Sequence, residues 1–169
     1  MQQSLASVSK VTGTSGIRNI GKKLAGVETE TKGLNPAEIL QKNATATLAI
    51  KNLLAKMALP IENLGVVYDQ GKVTLFGKTE SQETSEKAEL IVGNTQGVAE
   101  VDNNIEVVVP QPEAVYHTVV KGEYLSKIAK QYYGNANRYM EIFEANKPML
   151  KDPDEIYPGQ VLRIPPKAA

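Results

Sequence analysis

The chain has 169 residues, including 19 basic and 19 acidic side chains, and its formal net charge is zero. A neutral chain argues against nucleic acid as the main partner, because phosphate binding needs a basic excess. The absence of cysteine excludes disulfides, thiolate metal sites and cysteine nucleophiles. At this length the chain accommodates one ordinary domain or two small ones.

The charges are unevenly distributed along the chain. Residues 1–33 carry five basic and two acidic side chains, whereas residues 34–109 carry six basic and ten acidic ones. The acidic middle segment is therefore the natural place for a bound cation. The basic N-terminal segment is suited to dock against it.

The N-terminal residues suggest little regular structure. Residues 1–16 are rich in Ser, Thr, Gly and Gln, which is typical of a flexible leader. Residues 17–24, with the sequence IRNIGKKL, place apolar side chains at helical spacing, which predicts a short, irregular helical segment. We expect residues 1–33 to be a leader and a segment that packs on the following domain. No apolar run has the length of a signal peptide or membrane span, so we expect a cytoplasmic protein without membrane contact.

The first long helix is predicted to begin at Asn35, which is suited to the N-cap, with Pro36 at the first helical position. Pro60 is expected to end it. Its inner face is predicted from the apolar residues at helical spacing, which are Ile39, Ala46, Ile50, Leu53 and Met57.

A hairpin and a second helix follow. Two β-rich runs between residues 64 and 78 flank Asp69-Gln70-Gly71, which is typical of a turn in which glycine supplies a positive φ. Ser81 is suited to cap a helix that Gly93 and Gly97 should end. Its predicted inner face is Thr84, Ala88, Ile91 and Thr95. A last strand, from about residue 98 to 109, completes a three-stranded sheet covered by two helices.

An ordered set of glycine and apolar residues runs through this part of the chain. It reads Gly71-x-Val73-x-Leu75-x-Gly77, then Ala88, then Gly97-Val98-x-x-Val101-x-Asn103-x-Ile105. The set resembles the BON domain family over residues 34–109. The resemblance implies a small domain with the order α-β-β-α-β.

The C-terminal part has a different pattern. Residues 110–114 contain two prolines and are expected to form a short, stiff linker. A strand over residues 116–120 is followed by two predicted helices, the first of which Gly134 should end. Inward-facing residues are predicted to be Leu125, Ile128, Ala129 and Tyr132 in the first helix and Tyr139, Ile142 and Phe143 in the second. The chain then closes with Ile156-Tyr157-Pro158-Gly159-Gln160-Val161-Leu162-Arg163-Ile164-Pro165.

This strand-helix-helix-strand order and its ending resemble the LysM domain family over residues 115–169. The whole chain is therefore predicted to be an α+β protein of two small domains, BON (α-β-β-α-β) and LysM (β-α-α-β).

No catalytic constellation is visible in the sequence. The single histidine, His117, lies in an alternating strand and is expected to be a surface or edge residue. Asp152, Asp154 and Glu155 have spacing that could suit calcium, but the twelve-residue frame with its glycine is lacking. A solvated loop is the better interpretation, and we expect a binding protein and not an enzyme.

The resemblance to LysM domains implies a shallow groove for N-acetylglucosamine polymers such as peptidoglycan. By position it would lie between two loops, Gly122-Glu123-Tyr124-Leu125 and Asp154-Glu155-Ile156-Tyr157. The common Gly-Asp-Thr-Leu of that family is Gly-Glu-Tyr-Leu here, so a bulky ring replaces a hydroxyl. We therefore rank a structural role or docking of another protein above glycan binding for this domain.

A BON domain followed by a LysM domain resembles a family of bacterial cytoplasmic potassium-binding proteins, with GNANRYMEIFEANKP and FEANKPMLKDPDEIYPGQVLRIP as the most similar stretches. The resemblance implies K⁺ held by backbone carbonyls. By position these belong to Gly93, Thr95 and Val98, and to Ile17, Ile20 and Lys22 in the N-terminal segment.

The residues themselves allow two interpretations of the segment from Val92 to Val98. Its carbonyls lie at a predicted helix end, where they carry partial negative charge, and Glu100 and Asp102 follow. An ordinary Schellman-type cap without an ion explains the same residues, and only the family resemblance favours the ion. The alternative function for the whole chain is a cell-envelope LysM protein that binds peptidoglycan.

Overall fold

The computed structural model describes residues 33–167, which form four α-helices and five strands. The N-terminal domain contains α1 (Pro36–Lys56), β1 (Glu62–Asp69), β2 (Lys72–Ser81), α2 (Gln82–Gly93) and β3 (Glu100–Val109). The C-terminal domain contains β4 (Val115–Thr118), α3 (Leu125–Tyr133), a 3₁₀ turn (Ala136–Arg138), α4 (Tyr139–Ala145) and β5 (Val161–Ile164). The predicted α+β class and both orders of elements are confirmed.

Helix α1 begins where the sequence indicates. The Asn35 side chain accepts a hydrogen bond from the Glu38 N–H at 2.9 Å, and the Glu38 carboxylate accepts one from the Asn35 N–H at 2.8 Å. This reciprocal arrangement is a capping box, and Pro36 occupies the first turn as predicted. The helix ends at Lys56, before Pro60, because Ala58 adopts a positive φ of 51°. Leu54, 2% exposed, joins Ile50 on the inner face.

The three strands of the N-terminal domain form one sheet in the order β1-β2-β3. Strands β1 and β2 are antiparallel and are joined by Gln70 and Gly71, which have φ values of 45° and 96°. Two consecutive positive φ values are typical of the type I′ hairpin turn. Strands β2 and β3 are parallel, and α2 provides the crossover between them. Both helices pack on the core that is built around Val73, Leu75, Ala88, Val92 and Val101.

The C-terminal domain packs two helices on the antiparallel pair β4-β5. Ile128, Ile142 and Leu162 are completely buried in its core, and Gly134 ends α3 at a φ of 73°, as predicted. The prediction that Tyr139 faces inward is wrong, because its side chain is 37% exposed. Tyr139 is the first residue of a seven-residue helix that directly follows the 3₁₀ turn, so it lies at the rim of the core.

A buried polar interface joins the two domains through α2 and β5. The Glu86 carboxylate accepts a 2.6 Å hydrogen bond from Arg163 Nε, and both side chains are at most 7% exposed. Glu86 also accepts from the N–H of Ala114, the last linker residue, at 3.0 Å. Asn94 makes a further link, because its amide donates to the Val161 carbonyl at 2.9 Å and accepts from the Val161 N–H at 2.8 Å.

Among the helices of residues 33–167, none is both long and apolar enough to cross a membrane.

Candidate functional site

The segment predicted to hold an ion is the end of α2 and the loop that leads to β3. The last helical residue is Gly93, and the Thr95 N–H donates to the Val92 carbonyl at 3.0 Å. The Val98 N–H then donates to the Thr95 carbonyl at 3.2 Å, and Gly97 between them has a φ of 87°. Three of the expected ligand residues, Gly93, Thr95 and Val98, therefore lie in one tight turn, which we call the α2 loop (residues 93–98).

Side chains of the α2 loop donate hydrogen bonds to carbonyl oxygens of the preceding helical turn. The Asn94 amide donates to the Leu90 carbonyl at 2.9 Å, and the Thr95 hydroxyl donates to the Ile91 carbonyl at 2.9 Å. The buried side chain of Val98, 1% exposed, anchors the loop in the core. Within the loop, the Thr95 carbonyl accepts one hydrogen bond from the Val98 N–H, and a carbonyl oxygen with one such bond keeps a second lone pair for a further contact.

The hairpin turn holds the α2 loop from the other side. The Gly71 carbonyl accepts from the Ala99 N–H at 2.7 Å, and the Tyr68 hydroxyl donates to the Gly97 carbonyl at 3.0 Å. Burial raises the pKa of Tyr68, and the nearby Asp69 charge adds to this effect. The phenol therefore remains protonated and can act as a donor at neutral pH.

The α2 loop offers backbone carbonyls, which are a type of ligand that potassium accepts. K⁺ is a large cation that is well coordinated by several neutral carbonyl oxygens. Glu100 and Asp102 begin the next strand and add negative potential, although the Lys72 ammonium lies 3.9 Å from each carboxylate. The remaining expected ligands, Ile17, Ile20 and Lys22, lie outside the described residues.

The side chains in the two loops of the expected sugar groove differ in their exposure to solvent. Tyr124 is 59% exposed and Tyr157 63% exposed, so both rings are accessible. Gly122, Asp154 and Glu155 are also exposed, and Glu123 and Ile156 are intermediate. The expectation that Leu125 lines a groove is wrong, because its side chain is 2% exposed and belongs to the domain core.

His117 lies in β4, an edge strand of a two-stranded sheet, which agrees with the surface or edge position expected from the sequence, but both of its ring nitrogens have partners. Its Nε2 lies 2.9 Å from the Glu123 carboxylate, and its Nδ1 lies 3.0 Å from the Tyr132 hydroxyl. The side chain of His117 is 13% exposed and that of Glu123 11% exposed. Local sequence spacing could not reveal these partners, because they lie on the following turn and on α3.

Glu123 closes the turn before α3 as well as binding His117. Burial of the Glu123 carboxyl acts to raise its pKa, but the hydrogen bonds from the Val120 N–H (2.9 Å) and His117 outweigh that effect, so the pKa is lowered. Glu123 stands where the LysM motif commonly has aspartate, and its carboxylate contacts the His117 ring at 2.9 Å. Glu123 is engaged within the domain and has less freedom to contact a sugar.

The acidic loop of residues 152–155 behaves as a solvated turn. Asp152, Asp154 and Glu155 are exposed, and Asp152 accepts from the Asp154 N–H at 2.8 Å. Within residues 33–167, His, Asp and Glu side chains do not gather in any group of three or more that could hold a metal ion.

The sequence did not identify the residues that join the domains, namely Glu86, Asn94 and Arg163. The position of Asn94 at a helix end was a signal for capping. Its second role depends on Val161, which is 67 positions further along the chain. Only the packing of α2 against β5 brings these groups together.

Comparisons with known proteins agree with the two-domain architecture. The BON domain model matches residues 42–109, and the LysM domain model matches residues 117–165. Over 117 residues, which are 69% of this chain and 78% of the relative, the chain is 48% identical to the potassium binding protein Kbp of Escherichia coli O6:H1 strain CFT073. An uncharacterized protein of Deinococcus radiodurans is 30% identical over 145 residues, which are 79% of this chain and 56% of that protein. The resemblance seen in the sequence is confirmed, and the chain belongs to the family of the potassium binding protein Kbp, with a BON domain followed by a LysM domain.

Proposed function

We propose that this protein binds potassium with backbone carbonyls of the BON domain and of the N-terminal segment. The observation that carries the proposal is the 48% identity to the potassium binding protein Kbp. The ligands in the described part are the carbonyls of Gly93, Thr95 and Val98. Ile17, Ile20 and Lys22 supply the others. We place this binding protein in the cytoplasm and assign it no catalytic role.

The chemistry of the α2 loop supports this assignment. The C-terminal end of a helix carries partial negative charge, which favours a cation beside it. Uncharged carbonyl ligands suit a monovalent ion, whereas Mg²⁺ prefers carboxylates, phosphates and retained water. Tyr68 supports the loop by its hydrogen bond to the Gly97 carbonyl, and Gly71 holds Ala99 directly after it.

The LysM domain would sense or transmit the state of the ion site. Asn94 lies between two of the proposed ligand residues and holds Val161 of the LysM domain by two hydrogen bonds. A shift of the α2 loop is thereby coupled to β5. The partner that reads this state would be another protein bound by the LysM domain.

Isothermal titration calorimetry tests the proposal. Metal-free protein is titrated with K⁺, Na⁺ and Mg²⁺ at matched ionic strength, and we expect saturable heat with K⁺ alone. Tyr68→Phe removes the hydroxyl that holds the Gly97 carbonyl and should weaken K⁺ binding several-fold. Tyr139→Phe alters a rim residue and is the matched control, which should bind like the wild type. Equal heats with K⁺ and Na⁺, or no saturable heat with K⁺, would contradict the proposal.

A second candidate function is binding of N-acetylglucosamine polymers by the LysM groove, as expected of a cell-envelope protein. The exposed rings of Tyr124 and Tyr157 favour it, because exposed aromatic faces can stack on sugars. Chitin oligomers titrated into the full chain, followed by NMR chemical shifts, distinguish the two. Tight binding with shifts at residues 122–124 and 154–157 would support the glycan function. Weak or absent binding is the expected result, because Glu123 is engaged by His117.

A further inference from the structure

Met149 lies at the junction of the two domains. Its side chain packs against the core of the BON domain, the core of the LysM domain and the small cluster that Leu90 and Val161 form between them. Among residues 33–167, no other apolar side chain packs against all three. Its sulfur also accepts a hydrogen bond from Asn94, in the α2 loop, at 3.1 Å. The residue is only partly buried, so a small solute can reach it.

Two anchors hold the backbone around Met149. The first is the completely buried side chain of Asn146, which donates to the Arg163 carbonyl at 2.8 Å and accepts from the Arg163 N–H at 2.7 Å. The second is Leu150, 3% exposed in the LysM core, whose N–H donates to the Asn146 carbonyl at 2.9 Å. The turn of residues 146–150 therefore holds Met149 beside β5, where α2 of the other domain packs.

The side-chain nitrogen of Asn94 has more acceptors than hydrogens. It carries two N–H bonds, but it lies 2.9 Å from the Leu90 carbonyl, 2.9 Å from the Val161 carbonyl and 3.1 Å from the Met149 sulfur. A thioether sulfur is a weak acceptor, so the two carbonyls keep the stronger bonds. A stronger acceptor on Met149 would compete with the Val161 carbonyl, through which Asn94 holds the LysM domain.

We propose that Met149 is a site of reversible oxidation by peroxides, and that its oxidation loosens the contact between the two domains. One oxygen atom passes from hydrogen peroxide to the sulfur: an S–O bond forms, the O–O bond breaks, the sulfur loses two electrons and the peroxide is reduced to water. The sulfoxide puts a polar oxygen among three apolar clusters, which is unfavourable, and this oxygen draws the Asn94 amide away from Val161. Sulfoxide reductases reverse the reaction.

The other two methionines of residues 33–167 lack this position. Met140 is 41% exposed on α4, and Met57 packs against the BON core alone. Met140 should oxidise faster than Met149 because it is more accessible, but its sulfoxide stays in solvent and should not disturb the domain contact. The predicted effect is therefore specific to Met149.

Hydrogen exchange measured by NMR on the full chain at a fixed K⁺ concentration tests the proposal. The Val161 N–H donates to the Asn94 side chain at 2.8 Å and reports the contact between the domains. The Tyr68 N–H, bonded to Thr47 at 3.0 Å, reports the BON domain itself. Hydrogen peroxide is added until mass spectrometry finds one added oxygen on Met149. Exchange at Val161 should then be at least tenfold faster, and exchange at Tyr68 should be unchanged.

Met149→Leu is the matched variant, because leucine keeps the apolar volume and cannot be oxidised. It should retain slow exchange at Val161 after peroxide treatment. Met140→Leu is the control and should respond like the wild type. Sulfoxide reductase should restore slow exchange in the oxidised wild type.

Three outcomes would overturn the proposal. The first is a Met149→Leu protein that responds to peroxide as strongly as the wild type. The second is unchanged exchange at Val161 once Met149 is oxidised. The third is a Met149 that stays reduced after Met140 is fully oxidised. None of these outcomes depends on whether the protein binds K⁺, so they leave the proposed ion site to its own test.

Discussion

Tyr124 occupies the N-cap of α3 but forms no side-chain hydrogen bond to the helix. Ser, Thr, Asp and Asn stabilise this position because a short side-chain oxygen accepts from the N–H groups of the first turn. The tyrosine hydroxyl is too far from the backbone to do so. A residue with a short side-chain oxygen at position 124 would therefore stabilise the start of α3.

Replacement of Tyr124 by Thr should stabilise the LysM domain by about 1 kcal/mol, because it adds a cap hydrogen bond. For a chain of this size that corresponds to a rise of about 3 °C in the melting temperature. Differential scanning calorimetry measures the change. Tyr157→Thr, at an equally exposed position away from a helix start, is the control and should not stabilise. A melting temperature for Tyr124→Thr at or below that of the wild type would contradict the argument.

Glu123 gives the LysM domain a pH dependence of predictable sign. Its pKa in the folded protein is lowered, so ionised Glu123 contributes stability above the ordinary value of about 4.3. That contribution is lost as the pH falls through the folded-state pKa. Glu123→Gln should therefore be less stable than the wild type at pH 7, and the difference should shrink on acidification below about pH 4.3. Thermal melts from pH 7 to 3 measure it, with the exposed Glu155→Gln as control. A stability difference that is independent of pH would show that the carboxylate is not responsible.

Helix α2 and strand β5 are joined by the ion pair between Glu86 and Arg163, whose side chains are 5% and 7% exposed. Breaking such a pair from one side is costly, because the remaining charge stays buried without its partner. Lys78 and Glu106 form a contrasting pair on the sheet surface, at 3.6 Å, with side chains 49% and 70% exposed. The two pairs share charge type and differ in burial.

Arg163→Leu should lower the free energy of unfolding by about 3–5 kcal/mol, because it isolates the Glu86 carboxylate. Lys78→Leu is the control, and its effect should stay below about 1 kcal/mol. Adding Glu86→Gln to Arg163→Leu should recover part of the loss. The glutamine carries no charge, and its oxygen can still accept from the Ala114 N–H. Urea unfolding measures all four proteins, and equal losses for Arg163→Leu and Lys78→Leu would refute the argument.

For the whole molecule, potassium should stabilise the fold by mass action. A ligand that binds only the folded state adds about 2.7 kcal/mol at a hundredfold excess over its dissociation constant. The melting temperature should therefore rise with K⁺ and much less with Na⁺ at equal ionic strength, which controls for screening of the acidic BON domain.

Deletion of residues 1–24 removes Ile17, Ile20 and Lys22 and should abolish this K⁺-specific rise while both domains remain folded. Thermal melts with circular dichroism measure both effects. A K⁺ response that survives the deletion would show that the N-terminal segment supplies no ligand.

Local sequence patterns determined the order of the elements, the caps at Asn35 and Ser81, the hairpin turn and the end of α3 at Gly134. These features depend on neighbouring residues and on periodicity, so a single sequence contains them. The same is true of the BON and LysM motifs, through which the family could be recognised. The placement of Gly93, Thr95 and Val98 in one loop follows from a helix stop that the sequence already indicates.

Tertiary structure alone decided the contacts between distant parts of the chain. The Glu86–Arg163 pair and the Asn94–Val161 link join residues 77 and 67 positions apart, and they exist only because α2 packs on β5. His117 likewise contacts Glu123 and Tyr132 only in the folded domain. Tyr139, predicted to face inward, is 37% exposed because it begins a short helix at the rim of the core. Hydrophobic spacing specifies which face of an element is apolar. It does not specify which other element covers that face, because this depends on how all the elements pack together.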